Sequence, residues 1–260
     1  AGANWFSGCF ESEAASTIFS SPKTVIAGSG ADHGIFKCED KSVILNGSWG
    51  KCSGAAHANF FSLNAKNKDS GELSSFVVPR DLVQFSDEKW KIFGLKSTSS
   101  RTIQLQDVEI PFEFKFQINR LKNNEHYKAF HIPFEEFARV FMSSCFIGIA
   151  RCFLNTLRDE DVLGEDFEVI TQSLQLNINK AIQQRNQFAE MLEDQSEFGH
   201  LDEKIKLNLK KQLGSGNMMI FDDIQVIFKK SGVNLLEENK LSHWAYRDVL
   251  TAIQHNLMRP

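Results

Sequence analysis

The chain lacks the features that would mark a membrane or nucleic-acid-binding protein. Its longest apolar stretch lies between Arg139 and Arg151, shorter than the ~20 residues that cross a bilayer, and is better explained as a buried helix. No block of Lys or Arg is present, and the net charge is -4. The N-terminal residues show no basic region followed by an apolar run, so no secretory signal is indicated. We therefore expect neither a membrane nor a nucleic acid as partner.

Cysteine pairs and metal-ligand spacings are also missing. The chain has five cysteines, an odd number without a C-x-x-C pair: Cys9, Cys38, Cys52, Cys145 and Cys152. They are typical of free thiols in a reducing compartment, so a cytoplasmic location is expected. Five histidines outside the motifs below show no ligand spacing, so no metal is predicted: His33, His126, His131, His200 and His243.

Two common catalytic signatures are missing as well. No G-x-G-x-x-G unit follows a strand and opens a helix, which argues against a Rossmann nucleotide site. No G-x-S-x-G turn is present, which argues against an α/β-hydrolase nucleophile. Tyrosine is scarce, with 2 residues against 23 phenylalanines, so the core is expected to be rich in Phe.

The first half of the chain shows a strand pattern. Short apolar runs separated by Gly, Asn, Asp and Ser turns predict seven strands, at residues 24–29, 34–39, 42–50, 58–65, 73–78, 83–93 and 102–110. Such a series is typical of a small antiparallel barrel or sandwich.

The second half shows a helix pattern. No proline occurs between Pro133 and Pro260, which favours long helices. We predict four, at residues 134–159, 167–195, 201–231 and 241–258, the third with a possible break at residues 214–216. Four helices with short connections indicate a helical bundle. The expected fold class is α+β, a small antiparallel β-barrel or sandwich domain followed by an all-α four-helix bundle. The expected domains are 1–16 as the end of a helix, 17–117 and 118–260.

One segment has a composition suited to a ligand. Residues 46–60 are predicted to form a strand, a tight turn of small residues and a second strand, with glycines, serines, a cysteine and a histidine around Trp49. Glycine lets the backbone approach a ligand closely, and small residues leave room for it. The segment therefore predicts a site for a planar ligand.

Three motifs carry a resemblance to a known family. Residues 47–60 are similar to the segment G-x-W-x-x-x-SG-x-x-HA-x-aromatic of the acyl-CoA dehydrogenase superfamily. Residues 93–103 and 107–111 resemble its G-L-R-G-T-G-S and D-V-x-V-P segments, with Ser97 and Ser99 in place of glycine. Residues 247–255 resemble RD-x-x-x-A-x-x-H. Within the superfamily, the chain resembles most the branch of reduced-flavin-dependent aromatic hydroxylases. This resemblance covers nearly the whole chain.

The resemblance implies an oxygenase that uses reduced flavin and O2 on a small aromatic substrate. It implies FMN or FAD as cofactor, a separate flavin reductase as partner, and a homo-oligomer, either a tetramer or a dimer. The family begins with a helical domain, of which residues 1–16 would be the last helix. Two alternatives stay open: an acyl-CoA dehydrogenase, for which Glu237 and Glu238 are the available carboxylates, and a non-catalytic truncated relative.

The resemblance also assigns candidate site residues. Ser53 and His255 would be catalytic: the hydroxyl orients a phenol or a flavin carbonyl, and the imidazole deprotonates the phenol. Cofactor contacts fall on both loops: Trp49, Cys52, Ser53, Gly54, Lys96, Ser97, Thr98, Ser99 and Ser100. The substrate contacts would be His57, Arg247 and Asp248.

Each assignment has a structural alternative. Ser53 would otherwise satisfy the backbone of a turn. Residues 96–101 place four hydroxyls between two cations, which suits a phosphate but also an ordinary polar loop. Arg247 and Asp248 would otherwise be a surface pair on the last helix, and His57 would pack at the start of a strand. His255 is expected two helical turns after Arg247, on a similar face.

Overall fold

The computed structural model describes residues 2–86, 90–123, 127–197 and 199–260. The chain divides into two compact units. The first consists of Ala1–Lys91 and Lys96–Phe134, and the second of Ile92–Leu95 and Glu135–Pro260. Part of the predicted strand 83–93 and His126 lie outside the described residues.

In the residues that the structure describes, the first unit contains one sheet of seven strands. They are β1 Ile26–Cys38, β2 Ser42–Cys52, β3 Phe60–Asn67, β4 Leu73–Pro79, β5 Gln84–Phe85, β6 Arg101–Pro111 and β7 Lys115–Phe116. Their order in the sheet is β5-β6-β2-β1-β3-β4-β7. β1 runs parallel to β3, and the other neighbours are antiparallel.

The sheet departs from the predicted barrel. Among the described residues it does not close, because the outermost strands β5 and β7 have only two residues each and pair on one side only. The predicted strands 24–29 and 34–39 are one strand, β1, with an irregularity between Ser29 and Gly34. β7 was not predicted. β2 and β3 are not a hairpin, because β1 lies between them.

Large aromatic side chains pack at the chain's first residues. Residues Gly2–Cys9 form a 3-10 helix, and α1 follows at Ser12–Ile18. The Phe6 ring lies 4.5 Å from that of Phe134 and 5.4 Å from that of Phe116. These contacts agree with the predicted Phe-rich core. Through these ring contacts the N-terminal residues pack as part of the first unit.

The described part of the second unit contains four α-helices with one hydrophobic core. They are α2 Phe134–Asp159, α3 Phe167–Gln195, α4 Glu203–Lys230 and α5 Leu241–Ala252. The core draws residues from each of them, among them Phe153, Ile178, Ile224 and Val249. α2 and α3 have the predicted bounds. α4 continues through the predicted break at residues 214–216, and α5 ends six residues before the predicted 258.

Helix α2 has the length and apolar composition that a membrane span requires. It contributes Phe146, Ala150 and Phe153 to the core of the second unit, and buried core helices of globular proteins share that composition. Its role in the structure is therefore that of the predicted buried helix. The five cysteines are free thiols, as predicted.

Candidate functional site

Two predicted ligand segments meet in the first unit. The Ser53 hydroxyl lies 3.1 Å from the Ser100 hydroxyl, which lies 2.8 Å from that of Thr98. The Gly54 N–H donates to the Thr98 carbonyl at 2.8 Å. Ser53 is exposed, whereas Ser100 is buried. We call Ser53, Thr98 and Ser100 the hydroxyl cluster. Its Ser53 hydroxyl can donate a hydrogen bond at the surface, and the buried Ser100 lies beneath it.

The rest of the second segment surrounds this cluster with polar groups. Lys96–Thr98 form a 3-10 turn, in which Lys96 and Ser97 are exposed. The Lys96 ammonium donates to the Trp90 carbonyl at 3.3 Å. Ser99 has φ of +48°, in the left-handed region that favours glycine, and stands where the family segment has glycine.

Trp49 and Cys52 lie beneath this surface. The Trp49 ring is fully buried, and its indole N–H donates to the Asn64 carbonyl at 2.8 Å. A Cβ on Gly34 would lie 2.2 Å from that ring, so glycine is needed there for the tryptophan to fit. The Cys52 thiol points to the Trp49 carbonyl, and burial raises its pKa to about 12. Both side chains support the turn from within the sheet.

The turn between β2 and β3 is held by a residue that sequence reasoning missed. Arg80 donates from Nη1 to the carbonyls of Ala55 at 3.0 Å and Ala58 at 2.9 Å. His57 lies exposed in this turn and donates its N–H to the Gly54 carbonyl at 3.0 Å. A single arginine after a strand carries no sequence pattern, so no signal pointed to it.

Arg247 and Asp248 bind the backbone of Ile92–Leu95 within the second unit. The Arg247 Nε donates to the Phe93 carbonyl at 2.8 Å, and its guanidinium lies 4.4 Å from the centre of the Phe93 ring. The Asp248 carboxylate accepts from the Leu95 N–H at 2.5 Å. Thr251, also missed, accepts from the Gly94 N–H at 2.8 Å. These side chains clamp the segment that leads into residues 96–100.

His255 is not on a helix, contrary to the prediction, because α5 ends at Ala252. It caps a short 3-10 turn, Asn256–Met258, and its Nδ1 accepts from the Leu257 N–H at 3.2 Å. Although the residue is exposed, partial desolvation of the ring, and next the positive charge of Arg139, lower its pKa. A neutral ring that accepts at Nδ1 carries its proton on Nε2. Its use as a base therefore requires that the bond to Leu257 break.

The donor set of the hydroxyl cluster fits a flavin. The isoalloxazine ring presents carbonyl and ring-nitrogen acceptors, and hydroxyl and backbone N–H groups are matching donors. The glycine at residue 54 leaves open space on the turn, where an added Cβ would meet only the Ala27 Cβ at 3.9 Å. In the described part of the chain, no group of three His, Cys, Asp or Glu side chains has metal-binding geometry.

Known proteins share this architecture. No family model matches the chain. The oxygenase subunit HsaA of a flavin-dependent monooxygenase of Mycobacterium tuberculosis is 30% identical over 112 residues, which are 42% of this chain and 28% of that protein. The oxygenase component of p-hydroxyphenylacetate 3-hydroxylase from Acinetobacter baumannii is 25% identical over 153 residues, 54% of this chain and 35% of that protein. These matches span about a third, or less, of each relative's length.

A solved structure agrees over almost the entire chain. XiaF from Streptomyces sp., solved in complex with FADH2 and glycerol, matches 99% of this chain and 71% of its own, with a TM-score of 0.87 and 18% identity. The predicted resemblance is thereby confirmed, and the mixed α/β architecture of a seven-stranded sheet and helices agrees with it. The chain has the acyl-CoA dehydrogenase-like fold, and the two relatives named above are the oxygenase subunit of a flavin-dependent monooxygenase and the oxygenase component of a hydroxylase.

Proposed function

We propose that this protein is the oxygenase component of a flavin-dependent monooxygenase and acts on a small aromatic or related substrate. The observation that carries the proposal is the hydroxyl cluster. Two segments, each similar to a motif of the superfamily, meet through the 3.1 Å contact between the hydroxyls of Ser53 and Ser100, which are 47 residues apart in sequence. The names of the relatives, a monooxygenase oxygenase subunit and a hydroxylase, support the same activity.

The proposed cofactor is a reduced flavin, FMN or FAD. When bound, a reduced flavin supplies the electrons and the activation of O2 that hydroxylation needs. The groups that would hold it are the hydroxyl cluster, the backbone at Gly54, the exposed Lys96 and Ser97, and the half-buried Ser99. Trp49 and Cys52 are fully buried, so they would support the flavin-binding turn from within the sheet. The structural neighbour solved with FADH2 supports a flavin in this fold.

The proposed roles of the other residues follow from their chemistry. Ser53 would orient the substrate or a flavin carbonyl, because its hydroxyl is exposed and can both donate and accept. His255 would accept the phenol proton, and its lowered pKa keeps the ring neutral near pH 7. His57 would contact substrate from the exposed turn. Arg247 and Asp248 would affect substrate binding indirectly, because their side chains position the backbone of the segment Ile92–Leu95.

The partner and assembly are also proposals. The names oxygenase subunit and oxygenase component imply that a separate flavin reductase supplies the reduced flavin. We propose that α2 to α5 form a four-helix bundle, supported by their common core, and that the chain is a dimer or tetramer. A cytoplasmic location is proposed from its five free thiols.

The dehydrogenase alternative needs a free carboxylate base. Of the two candidates, Glu237 forms an ion pair with Lys240 at 3.1 Å, and Glu238 uses its carbonyl to accept from the Trp244 indole at 2.8 Å. The Glu237 carboxylate is therefore engaged by Lys240 and is not a free base. No observation favours this alternative over the oxygenase.

Flavin binding by hydroxyl variants tests the proposal. We would titrate reduced FMN and reduced FAD, under anaerobic conditions, into the wild type and the variants Ser53→Ala and Ser100→Ala. Loss of one hydrogen bond should weaken binding by about two- to tenfold in each variant. Ser20→Ala is the matched control, because this exposed serine of the first unit bonds only the local Thr17 carbonyl. Equal affinities for all four proteins would contradict the assigned site.

A further inference from the structure

Arg80 directs one nitrogen of its guanidinium at three carbonyls of the turn between β2 and β3. Its Nη1 donates to Ala55 at 3.0 Å and Ala58 at 2.9 Å, and lies 3.5 Å from the carbonyl oxygen of Ala56. Three carbonyl oxygens that converge on one cation form a strong, charge-assisted set of hydrogen bonds. The turn thus takes its shape around this side chain.

Arg80 itself is held in place by a backbone hydrogen bond and by a contact with an aromatic ring. Its backbone N–H donates to the Asn59 carbonyl at 2.8 Å, where the pairing of β3 with β4 ends. Its guanidinium carbon lies 5.0 Å from the centre of the Phe85 ring, within the range of a cation–π contact. The guanidinium therefore has a fixed position from which the turn can be built.

The N–H groups of the turn are tied to other parts of the first unit. Gly54 donates to Thr98 at 2.8 Å, and Asn59 donates to Val25 at 2.9 Å. The Arg80 guanidinium donates to the carbonyls of Ala55 and Ala58. Buried carbonyl groups without a partner are costly, and Ala55 and Ala58 are both buried. Loss of the guanidinium removes these hydrogen bonds to two buried carbonyls and so weakens the conformation of the turn.

We propose that Arg80 is a positioning residue that fixes the turn and thereby sets the Ser53 hydroxyl against that of Ser100. The proposal rests on the function proposed above, since it concerns the same hydroxyl cluster. Arg80 does not itself belong to that cluster. It acts indirectly, through its hydrogen bond to the Ala55 carbonyl in the turn that follows Ser53 and Gly54.

Two variants of Arg80 and one control test this role. Arg80→Met keeps the aliphatic stem and removes the charge, and Arg80→Lys restores a cation that reaches fewer carbonyls. Arg120→Met is the control, because Arg120 is an exposed arginine of the same unit. We would measure hydrogen exchange of the peptide 53–59, the dissociation constants for reduced FMN and reduced FAD, and the melting temperature.

We expect Arg80→Met to lose exchange protection within 53–59 and to bind reduced flavin about 10- to 100-fold more weakly, because charge-assisted bonds are lost. Arg80→Lys should recover part of both, and Arg120→Met should change neither. Unchanged exchange and affinity in Arg80→Met would overturn the proposal. So would exchange that rises across both units without recovery in Arg80→Lys, which marks a merely structural residue. Absence of flavin binding by the wild type would refute the function alone, since the exchange result still tests Arg80.

Discussion

Gly94 lies so close to Arg247 that a Cβ at residue 94 would sit 2.1 Å from the Arg247 carbonyl oxygen. The side chain of Arg247 bonds the Phe93 carbonyl, and Thr251 bonds the Gly94 N–H. Side chains of α5 thus hydrogen-bond the backbone of Ile92–Leu95 at Gly94 and at the residue before it. Two motifs that are more than 150 residues apart in sequence are joined by this contact within the second unit.

Gly94→Ala should destabilise the second unit. The added methyl group has no room against a helix backbone, so the segment or α5 must shift, and we expect a loss of about 2–3 kcal/mol in the free energy of unfolding. Chemical denaturation followed by circular dichroism measures it. Gly148→Ala is the control: nothing lies within 4 Å of a Cβ at this exposed position of α2. Alanine there should stabilise by about 0.5–1 kcal/mol. Equal effects of the two substitutions would contradict the close contact at Gly94.

Substitutions at His255 separate a base from a cap. Asparagine is a good N-cap and retains an acceptor for the Leu257 N–H, but it cannot take a proton. If His255 is the base, both His255→Asn and His255→Ala should lower kcat about 10²- to 10⁴-fold. If the residue only caps the turn Asn256–Met258, His255→Asn should keep its activity while His255→Ala loses stability. Steady-state hydroxylation rates and melting temperatures of the two variants decide between these roles.

Glu160 should give α5 a pH-dependent stability. Partial burial raises the pKa of its carboxyl, but hydrogen bonds from Ser242 and Leu241 outweigh burial, and the net pKa is lowered. A lowered folded-state pKa adds stability above the unfolded value, near 4.3, and this stability is lost as pH falls through the folded-state value. Glu160→Gln should therefore cost about 0.5–1 kcal/mol at pH 7.

The pH series provides the check on Glu160. Urea unfolding of the wild type and Glu160→Gln should give a difference that is constant from pH 8 to about pH 5 and then shrinks in more acidic buffer. A difference that stays constant down to pH 3 would show that the carboxylate charge has no part in capping α5.

Ser99→Gly should stabilise the first unit. Ser99 holds φ of +48°, which costs a residue with a side chain about 1–3 kcal/mol, whereas glycine adopts it readily. The greater freedom of glycine in the unfolded chain offsets part of this gain, so we expect a net stabilisation of up to about 1 kcal/mol. Thermal unfolding measures the change, with Ser97→Gly as the control next to it. A lower melting temperature for Ser99→Gly would show that its side chain contributes more than its backbone costs.

The sequence predicted the helices better than the sheet. α2 and α3 have the predicted bounds because helical periodicity is local and no proline interrupts it. The parallel pairing of β1 with β3 joins strands that are not neighbours in sequence, and no local pattern encodes it. The end of α5 was predicted too late, because Ile253 continues the apolar pattern beyond the last helical residue, Ala252.

The candidate site was predicted in part. The segments around Ser53 and Ser100 were both identified, and the structure brings them together. Which atoms face outward was not predictable, because the burial of Trp49 depends on the glycine of a neighbouring strand. Arg80 and Thr251 were missed for the same reason: each acts on the backbone of a segment far away in sequence.

Anaerobic titration of the wild-type chain with reduced flavin tests directly whether this protein is the oxygenase component of a flavin-dependent monooxygenase. The flavin absorbance and fluorescence would be recorded during addition of protein, separately for reduced FMN and reduced FAD. We expect saturable binding of at least one of them, with one flavin per chain at the endpoint. Absence of binding for both, by a chain whose circular dichroism shows the folded helices and sheet, would contradict it.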